Sequence, residues 1–303
     1  MTSLKELKKQ YFKKIDSADL EILISFVIGK PKEFILTHPE YKLNKSEENK
    51  LKKLIKKKLT GEPIAYLVGE KEFYSLNFKI NKKVLVPRPE TELIVEKTLE
   101  LIETIYLTNS KKPIIIIDIG TGSGCIIVTL AKFLSYYRSL TFKFYATDIS
   151  SQALSIAKTN AKLHNVKQKI NFFYGNLLQP FTDNPKLFNY FKRLKNLKQS
   201  LIIITANLPY LTPKQIKNSP TIQSEPRLAL DGGRDGLKYY RHLIKQLKKP
   251  PFTDLSWAAF LEIDPSQKKK IKELIKKELT VREIKFYPDL AGYTRVAKIQ
   301  KFC

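Results

Sequence analysis

The chain opens with apolar positions recurring at helical spacing between lysines and glutamates. Ser3 and Glu6 form a capping-box pattern ahead of a first helix. A second apolar stripe runs through Leu20, Leu23, Ile24, Val27 and Ile28. A third joins Leu51, Leu54, Ile55 and Leu59, with Ser46 as the expected N-cap, Glu47 and Glu48 in the first turn and Gly61 as the stop. Helices this short do not stand alone, so residues 1–62 are expected to pack as a small bundle. After Pro63 the period drops to two. Alternating runs at 73–80 and 84–86 around Asn81-Lys82-Lys83 predict a β-hairpin within a linker over 63–87. Pro89 and Glu90 then open a helix through Glu92, Ile94, Val95 and Leu99.

From Ile114 the rhythm is strand, helix, strand. Continuous β-branched or apolar runs predict strands at 114–119, 142–149, 170–174, 201–206 and 258–263, with helices at 126–134, 151–165 and 237–247. Two further strands, 283–287 and 295–300, are expected to meet at Gly292. Strands alternating with helices imply an α/β fold with a Rossmann-like, doubly wound, mostly parallel sheet over residues 88–303. Residues 181–199, rich in Asn and Lys, carry the weakest pattern and read as a loop-bearing insertion.

Composition narrows the function classes. The 303 residues exceed the size at which one core usually splits, and 43% of them are hydrophobic, enough for a proper core. No apolar run approaches the ~20 residues of a membrane span. The first residues lack the apolar segment of a signal peptide, and a reducing cytoplasm is expected. The two cysteines, Cys125 and Cys303, are far apart, and three scattered histidines suggest no metal site. The formal net charge of +26 has two readings. It attracts polyanions, which allows nonspecific nucleic-acid contact, or it reflects solvated lysine-rich helix faces such as Lys56-Lys57-Lys58 and Lys268-Lys269-Lys270.

Asp118-Ile119-Gly120-Thr121-Gly122-Ser123-Gly124 closes the first strand of the sheet and opens its helix. Glycines there allow a tight turn and bring a ligand close to main-chain N–H groups at a helix N-terminus. A dinucleotide fingerprint would place Gly or Ala at Cys125; the spacing here is G-x-G-x-G, suited to a ligand with a carboxylate and a ribose but no pyrophosphate. By itself the turn fits a plain strand–helix connection equally well. Asp148 adds to it, because an acid ending the second strand can accept both hydroxyls of a ribose, while Ser150 and Ser151 are available to cap the next helix. Asn176 and Leu177, after the third strand, fall where an adenine edge would lie; Asn176 fits an ordinary turn equally well.

Asn207-Leu208-Pro209-Tyr210 follows the fourth strand at the carboxyl edge, where open α/β sheets bind ligands. A conjugated NH₂ group has two in-plane donors and a lone pair tied up in its π system. Holding it needs two acceptors, which the Asn207 side-chain oxygen and the Leu208 carbonyl can supply. Pro209 stiffens the turn and offers no competing N–H, and Tyr210 offers a flat face for stacking. These are the parts of an S-adenosyl-L-methionine-dependent methyltransferase acting on a planar amide or amino nitrogen.

At this point the chain resembles the release-factor glutamine methyltransferases, nearly end to end. The resemblance rests on Gly61-Glu62-Pro63 through Gly69, Val86-Pro87-Arg88-Pro89-Glu90-Thr91-Glu92, the glycine turn, Asp148-Ile149-Ser150 and Asn207 to Tyr210. It continues in Glu225-Pro226-Arg227-Leu228-Ala229-Leu230, Leu261-Glu262-Ile263 and Asp289-Leu290-Ala291-Gly292. It implies a cytoplasmic, monomeric enzyme whose helical N-terminal domain helps to grip peptide chain release factors. It also implies that Asp118, Gly120, Thr121, Gly122, Ser123, Gly124, Asp148, Asn176, Leu177 and Asn207 serve the cofactor. Asn207, Leu208, Pro209 and Tyr210, with Arg88, Glu90 and Glu225, would serve the substrate, and no metal is needed. Two positions depart from the family pattern: Leu208 stands where proline is usual, and Asn176 where an acid is usual. rRNA adenine dimethyltransferases share Asn-Leu-Pro-Tyr, so an rRNA or DNA adenine methyltransferase is the alternative, with a small-molecule methyltransferase or an RNA-binding scaffold behind it.

Overall fold

A computed structural model describes residues 2–107, 113–137, 139–197 and 201–301. The chain opens with α1 (Leu4–Tyr11), α2 (Ser17–Ile28), α3 (Lys32–Thr37), α4 (Lys45–Leu59) and α5 (Ile64–Val68). Ser3 and Glu6 exchange the expected capping-box bonds at the start of α1. At α4 the cap is Asn44 rather than Ser46. Asn44 stands three residues before Glu47 and trades bonds of 2.9 and 2.8 Å with it, whereas Asn49 follows Ser46 at that spacing and cannot complete the box. Leu4, Leu23, Ile24, Ile35, Leu51 and Ile55 close one apolar core. Leu67 of α5 joins it, so the bundle's packing runs past residue 62.

The hairpin is displaced from its expected place. Its strands are β1 (Glu70–Phe73) and β2 (Leu76–Lys79), turning at Tyr74-Ser75 with both residues at positive φ. Asn81-Lys82-Lys83 lies beyond the hairpin. Val84 and Val86 form no strand and are buried beside Ala65, Ile80 and Ala153. A Tyr-Ser turn carries none of the usual Gly, Asn or Asp, so composition pointed to the wrong turn.

A 3₁₀ turn over Pro89–Thr91 leads into α6 (Glu92–Leu107). Then come β3 (Ile114–Ile119), α7 (Cys125–Phe133), β4 (Phe142–Asp148), α8 (Ser151–Leu163) and β5 (Ile170–Tyr174). The stretch expected as an insertion loop is helical in its described part, forming α9 (Gln179–Asp183) and α10 (Pro185–Leu197); residues 198 and 199 lie outside the described residues. Leu187, Tyr190, Phe191 and Leu194 pack inward, while Lys186, Asn189, Lys192 and Arg193 are the solvated face that masked the pattern. The chain continues with β6 (Leu201–Ala206), α11 (Pro213–Lys217), α12 (Lys238–Leu247), β7 (Trp257–Glu262), α13 (Lys268–Glu278), β8 (Glu283–Pro288) and β9 (Thr294–Lys301).

The last seven strands form one sheet in the order β5-β4-β3-β6-β7-β9-β8. β3 to β7 run parallel, and β9 is antiparallel to both β7 and β8. Ile115, Ile117 and Ile119 face the core shared with Tyr240 of α12 and Ile271 of α13. Ile114 and Ile116 face the core shared with Ile94 of α6 and Ile127 of α7. Both faces of β3 are covered, which is why its sequence is isoleucine at every position but Asp118. Strand order reverses at β3, whose neighbours are β4 and β6, and this places a crevice at the carboxyl edge beside it.

Candidate active site

The turn from β3 into α7 needs glycine. Gly120, Gly122 and Gly124 have φ of 64°, 55° and 81°, a region that side-chain-bearing residues rarely adopt. At Gly124 a Cβ would also lie 3.1 Å from the Cβ of Ala157 on α8. Asp148, at the end of β4, fastens the turn from the side: its Oδ2 accepts the Gly122 N–H at 2.9 Å and its Oδ1 the Ser150 N–H at 2.8 Å. Burial pushes the Asp148 carboxyl above its ordinary range, and the two N–H bonds pull the other way. Capping of α8 falls to Ser150, which accepts the Ala153 N–H, so Asp148 is not spent as a cap. Asp118 lies beneath the turn. It takes hydroxyl bonds from Thr121 at 2.6 Å and Thr205 at 2.8 Å, and burial raises its carboxyl to about 7.

Above these groups opens a cleft with about 960 Å³ of empty space, its open mouth included. Gly120, Thr121, Gly122, Ser123, Asp148, Asn176 and Leu177 line it, and Asn207, Leu208 and Pro209 form the facing wall. Asp118, Gly124, Tyr210, Arg88, Glu90 and Glu225 do not line it. Thr91, Lys83, Val84, Leu85, Pro226, Leu228 and Tyr239 are among the remaining wall residues. Leu208 is buried against the glycine turn, where a Cβ on Gly120 would meet its Cδ2 at 3.6 Å. Cys125 also borders the cleft, and burial pushes its thiol up to about 12. Cys303 lies outside the described residues. Among the described residues no group of His, Cys, Asp and Glu is arranged to hold a metal ion.

Behind Asn207 runs a chain of hydrogen bonds. Asn207 Nδ2 donates to Thr91 Oγ1 at 2.9 Å, and the Thr91 hydroxyl donates to Glu262 Oε2 at 2.6 Å. The Tyr210 hydroxyl donates to Glu262 Oε1 at 3.1 Å. The sequence predicts a stacking face at Tyr210; its hydroxyl is directed instead into this interior network, and its ring packs on the core. Burial, the first cause, raises Glu262 to about 7 against the pull of the Thr91 and Tyr210 bonds.

Arg88, Glu90 and Glu225, expected to touch substrate, are engaged with the protein itself. Glu225 is buried and pairs with the Arg88 guanidinium, and its other oxygen accepts the Val86 N–H at 3.1 Å. This tie holds the segment carrying Pro226 and Leu228 as a wall of the cleft. Glu90 faces Arg295 at 3.9 Å.

Thr91, Glu262 and Asn160 carry no site role in the sequence pattern. Asn160, wholly buried on α8, donates from Nδ2 to the carbonyls of Lys79 at 2.9 Å and Ser123 at 2.8 Å, and its Oδ1 accepts the Lys79 N–H at 2.8 Å. A signal for Glu262 existed: like Asp118 and Asp148, it is an acid at the carboxyl end of an apolar parallel strand. Asn160 had none, because its partners are backbone groups distant in sequence.

Two family models match the chain: the PrmC N-terminal domain over residues 4–69, and N-6 DNA Methylase over residues 79–250. A release factor glutamine methyltransferase of Dictyoglomus turgidum is 35% identical, covering 93% of this chain and 90% of the relative. That of Coxiella burnetii is 33% identical over 98% of both chains. In fold, the chain is similar to the human METTL16 catalytic domain solved with an RNA hairpin, with a TM-score of 0.56, 16% identity and coverage of 100% and 98%. The N-terminal domain of human METTL16 in complex with SAH gives a TM-score of 0.51 at 18% identity, covering 92% and 94%. With relatives of this identity along nearly its whole length, the chain belongs to the release factor glutamine methyltransferase family.

Proposed function

We propose that the protein transfers the methyl group of S-adenosylmethionine to the side-chain amide nitrogen of the glutamine in the Gly-Gly-Gln motif of peptide chain release factors. The observation that carries the reading is the meeting of Asn207, Leu208 and Pro209 with the glycine turn and Asp148 around one cleft. The substrate comes from the relatives, which match along most of their length.

The cleft fits the cofactor. Asp148 spends one lone pair of each oxygen on Gly122 and Ser150, leaving others for ribose hydroxyls. The turn of Gly120, Thr121, Gly122 and Ser123 would take the methionine end, and Asn176 and Leu177 the adenine. When bound, S-adenosylmethionine supplies an electrophilic methyl group on a sulfonium sulfur. Asn207 Oδ1 and the Leu208 carbonyl would hold the target NH₂ in its plane, and they face the positive charge that develops on nitrogen. The nitrogen becomes acidic as it is methylated, and its proton goes to water at the cleft mouth.

We divide the chain into a helical substrate-recognition unit, extended from residue 62 to 69 to include α5, a hairpin linker to 87 and a methyltransferase domain over 88–303. The packing of Leu67 supports the first limit. We place the enzyme in the cytoplasm as a monomer. Adenine amino-group methylation is the rival reading; one matching family model is named N-6 DNA Methylase, but the release factor glutamine methyltransferases that match along nearly the whole chain outweigh it. The deciding experiment follows labelled methyl from S-adenosylmethionine into release factor, rRNA and DNA side by side. Label in release factor alone is expected, and label in nucleic acid alone would replace the first reading with the second.

A further inference from the structure

Asn207 can hold a target NH₂ only if its carboxamide presents oxygen, not nitrogen, to the cleft. A carboxamide has nearly the same shape either way round, so something must choose. The network behind it does. Glu262 is 1% exposed, and its carboxylate accepts the Thr91 hydroxyl at 2.6 Å on one oxygen and the Tyr210 hydroxyl at 3.1 Å on the other. Thr91, itself 2% exposed, has one hydroxyl proton, and the carboxylate holds it. Thr91 Oγ1 therefore shows Asn207 lone pairs only. The nitrogen of Asn207 satisfies it at 2.9 Å; the flipped amide would set oxygen against oxygen inside the protein.

We propose that Thr91 and Glu262 are positioning residues that lock the Asn207 carboxamide with Oδ1 toward the target nitrogen. Thr91 borders the cleft beside Asn207, and Glu262 does not line it and acts only through Thr91 and Tyr210. Above about pH 7, where Glu262 is ionised, its charge is what commits the Thr91 proton. If Glu262 is neutral, the acid's own proton is free to go to Thr91, whose hydroxyl then turns to Asn207 and favours the wrong face. The groups that bear on this charge are Glu90, which raises the Glu262 pKa, and Arg295 on β9, which lowers it, with Thr91 and Tyr210 as direct donors. Tyr240 on α12 donates its hydroxyl to the Glu262 carbonyl. Asp118 and Asp264 are the remaining nearby acids, acting on Cys125 and Tyr210 respectively.

The inference rests on the methyl-transfer reading, and its test has one arm that needs no turnover. In that arm, the ¹⁵N spectrum of the full chain reports the Asn207 side-chain NH₂, identified by its loss in Asn207→Asp. Slow exchange of these protons with water is expected in the wild type, faster exchange by tenfold or more in Thr91→Val and Glu262→Gln, and recovery in Thr91→Ser. In the turnover arm, Thr91→Val and Glu262→Gln are expected to lower kcat tenfold or more. KM and the affinity for S-adenosylhomocysteine should stay within threefold, and Thr91→Ser should recover most of the rate. Glu262→Gln keeps the shape of the side chain, so it decides the matter if Thr91→Val does not fold. Unchanged exchange and kcat in the folded variants overturn the proposal, as does an equal loss in Thr91→Ser and Thr91→Val. If the wild type methylates no release factor, the function fails while the exchange arm still judges the lock.

Discussion

Asn160 on α8 donates to the Ser123 carbonyl 2.8 Å away, so the glycine turn is held from behind by a residue that never meets the cleft. The same side chain trades two bonds with the Lys79 backbone at the end of β2. One carboxamide thereby joins the hairpin, α8 and the turn.

Replacing Asn160 by alanine leaves the Ser123 carbonyl and the Lys79 backbone groups without these partners. A stability loss of about 2–4 kcal/mol is expected in urea unfolding, from several buried hydrogen bonds at about 1 kcal/mol each plus the penalty for unpaired groups. Calorimetry should also show weaker S-adenosylhomocysteine binding, because the turn is no longer fixed. A variant as stable as the wild type would show that water replaces the amide.

Asp148→Ala removes the acceptor from both the Gly122 and Ser150 N–H groups and from the expected ribose hydroxyls. Cofactor binding is expected to weaken by ~1.5–3 kcal/mol, the scale of hydrogen bonds to a charged group. Asp148→Asn, which keeps one oxygen, should lose less. Equal affinity in all three proteins, measured by titration calorimetry, would take Asp148 out of the site.

The two buried acids give stability a definite dependence on pH. Burial lifts Glu262 from an ordinary 4.5 to about 7, and Asp118 from 3.8 to about 7. The folded chain thus holds these protons more tightly than the unfolded chain. Their contribution is complete below the unfolded values and is lost as pH rises through about 7. Urea midpoints should therefore fall between about pH 5 and pH 8, and Glu262→Gln should fall less steeply than the wild type. Parallel curves would mean that Glu262 does not titrate in this window.

How much of this was legible follows from what each feature answers to. The isoleucine run of β3 and the acids Asp118 and Asp148 answer to local rules, strand burial and turn geometry, and could be read directly. The turn at Tyr74-Ser75 could not, because neither residue type favours positive φ, and the contacts Tyr74 makes there, with Glu92 and Phe133, are distant in sequence. The helix α10 was hidden by lysines on its outer face. Resemblance places Arg88, Glu90 and Glu225 on the substrate, but the fold brings Glu225 against Arg88 and Val86 across 137 and 139 residues of sequence, which no local pattern signals. Thr91 and Glu262 meet across 171 residues of sequence, beyond any local signal.

Asn207→Ala is expected to abolish methyl transfer while changing cofactor affinity little. The side chain sits on the wall facing the glycine turn and is assigned to the nucleophile, so its loss belongs in kcat rather than in cofactor binding. Single-turnover rates beside a calorimetric titration separate the two effects. Near-normal turnover would reduce Asn207-Leu208-Pro209 to a plain turn.

What is methylated is the harder question, since the Asn207 wall accepts a glutamine amide and an adenine amino group alike. The decision lies in the parts outside the cleft. The helical bundle matches the PrmC N-terminal domain and closes an apolar core of its own. The net charge of +26 argues for phosphate, but phosphate contacts position a partner without specifying it and weaken steeply with salt. Release factor is therefore expected to take up methyl at the Gly-Gly-Gln glutamine, and changing that glutamine to glutamate should stop the reaction, because a carboxylate has no NH₂. Removing residues 1–69, which takes α5 away with the bundle it packs in, should raise KM for release factor tenfold or more, on the order of 1.4 kcal/mol. S-adenosylhomocysteine affinity should change far less than KM, because most of its expected contacts lie at the sheet edge and only the Val84 wall loses the support of Ala65 and Tyr66. A thermal melt of the truncated chain reports that the sheet is intact. Methyl incorporation into rRNA adenine, with none in release factor, would overturn the assignment; an unchanged KM after truncation would leave the chemistry standing and remove the bundle from substrate recognition.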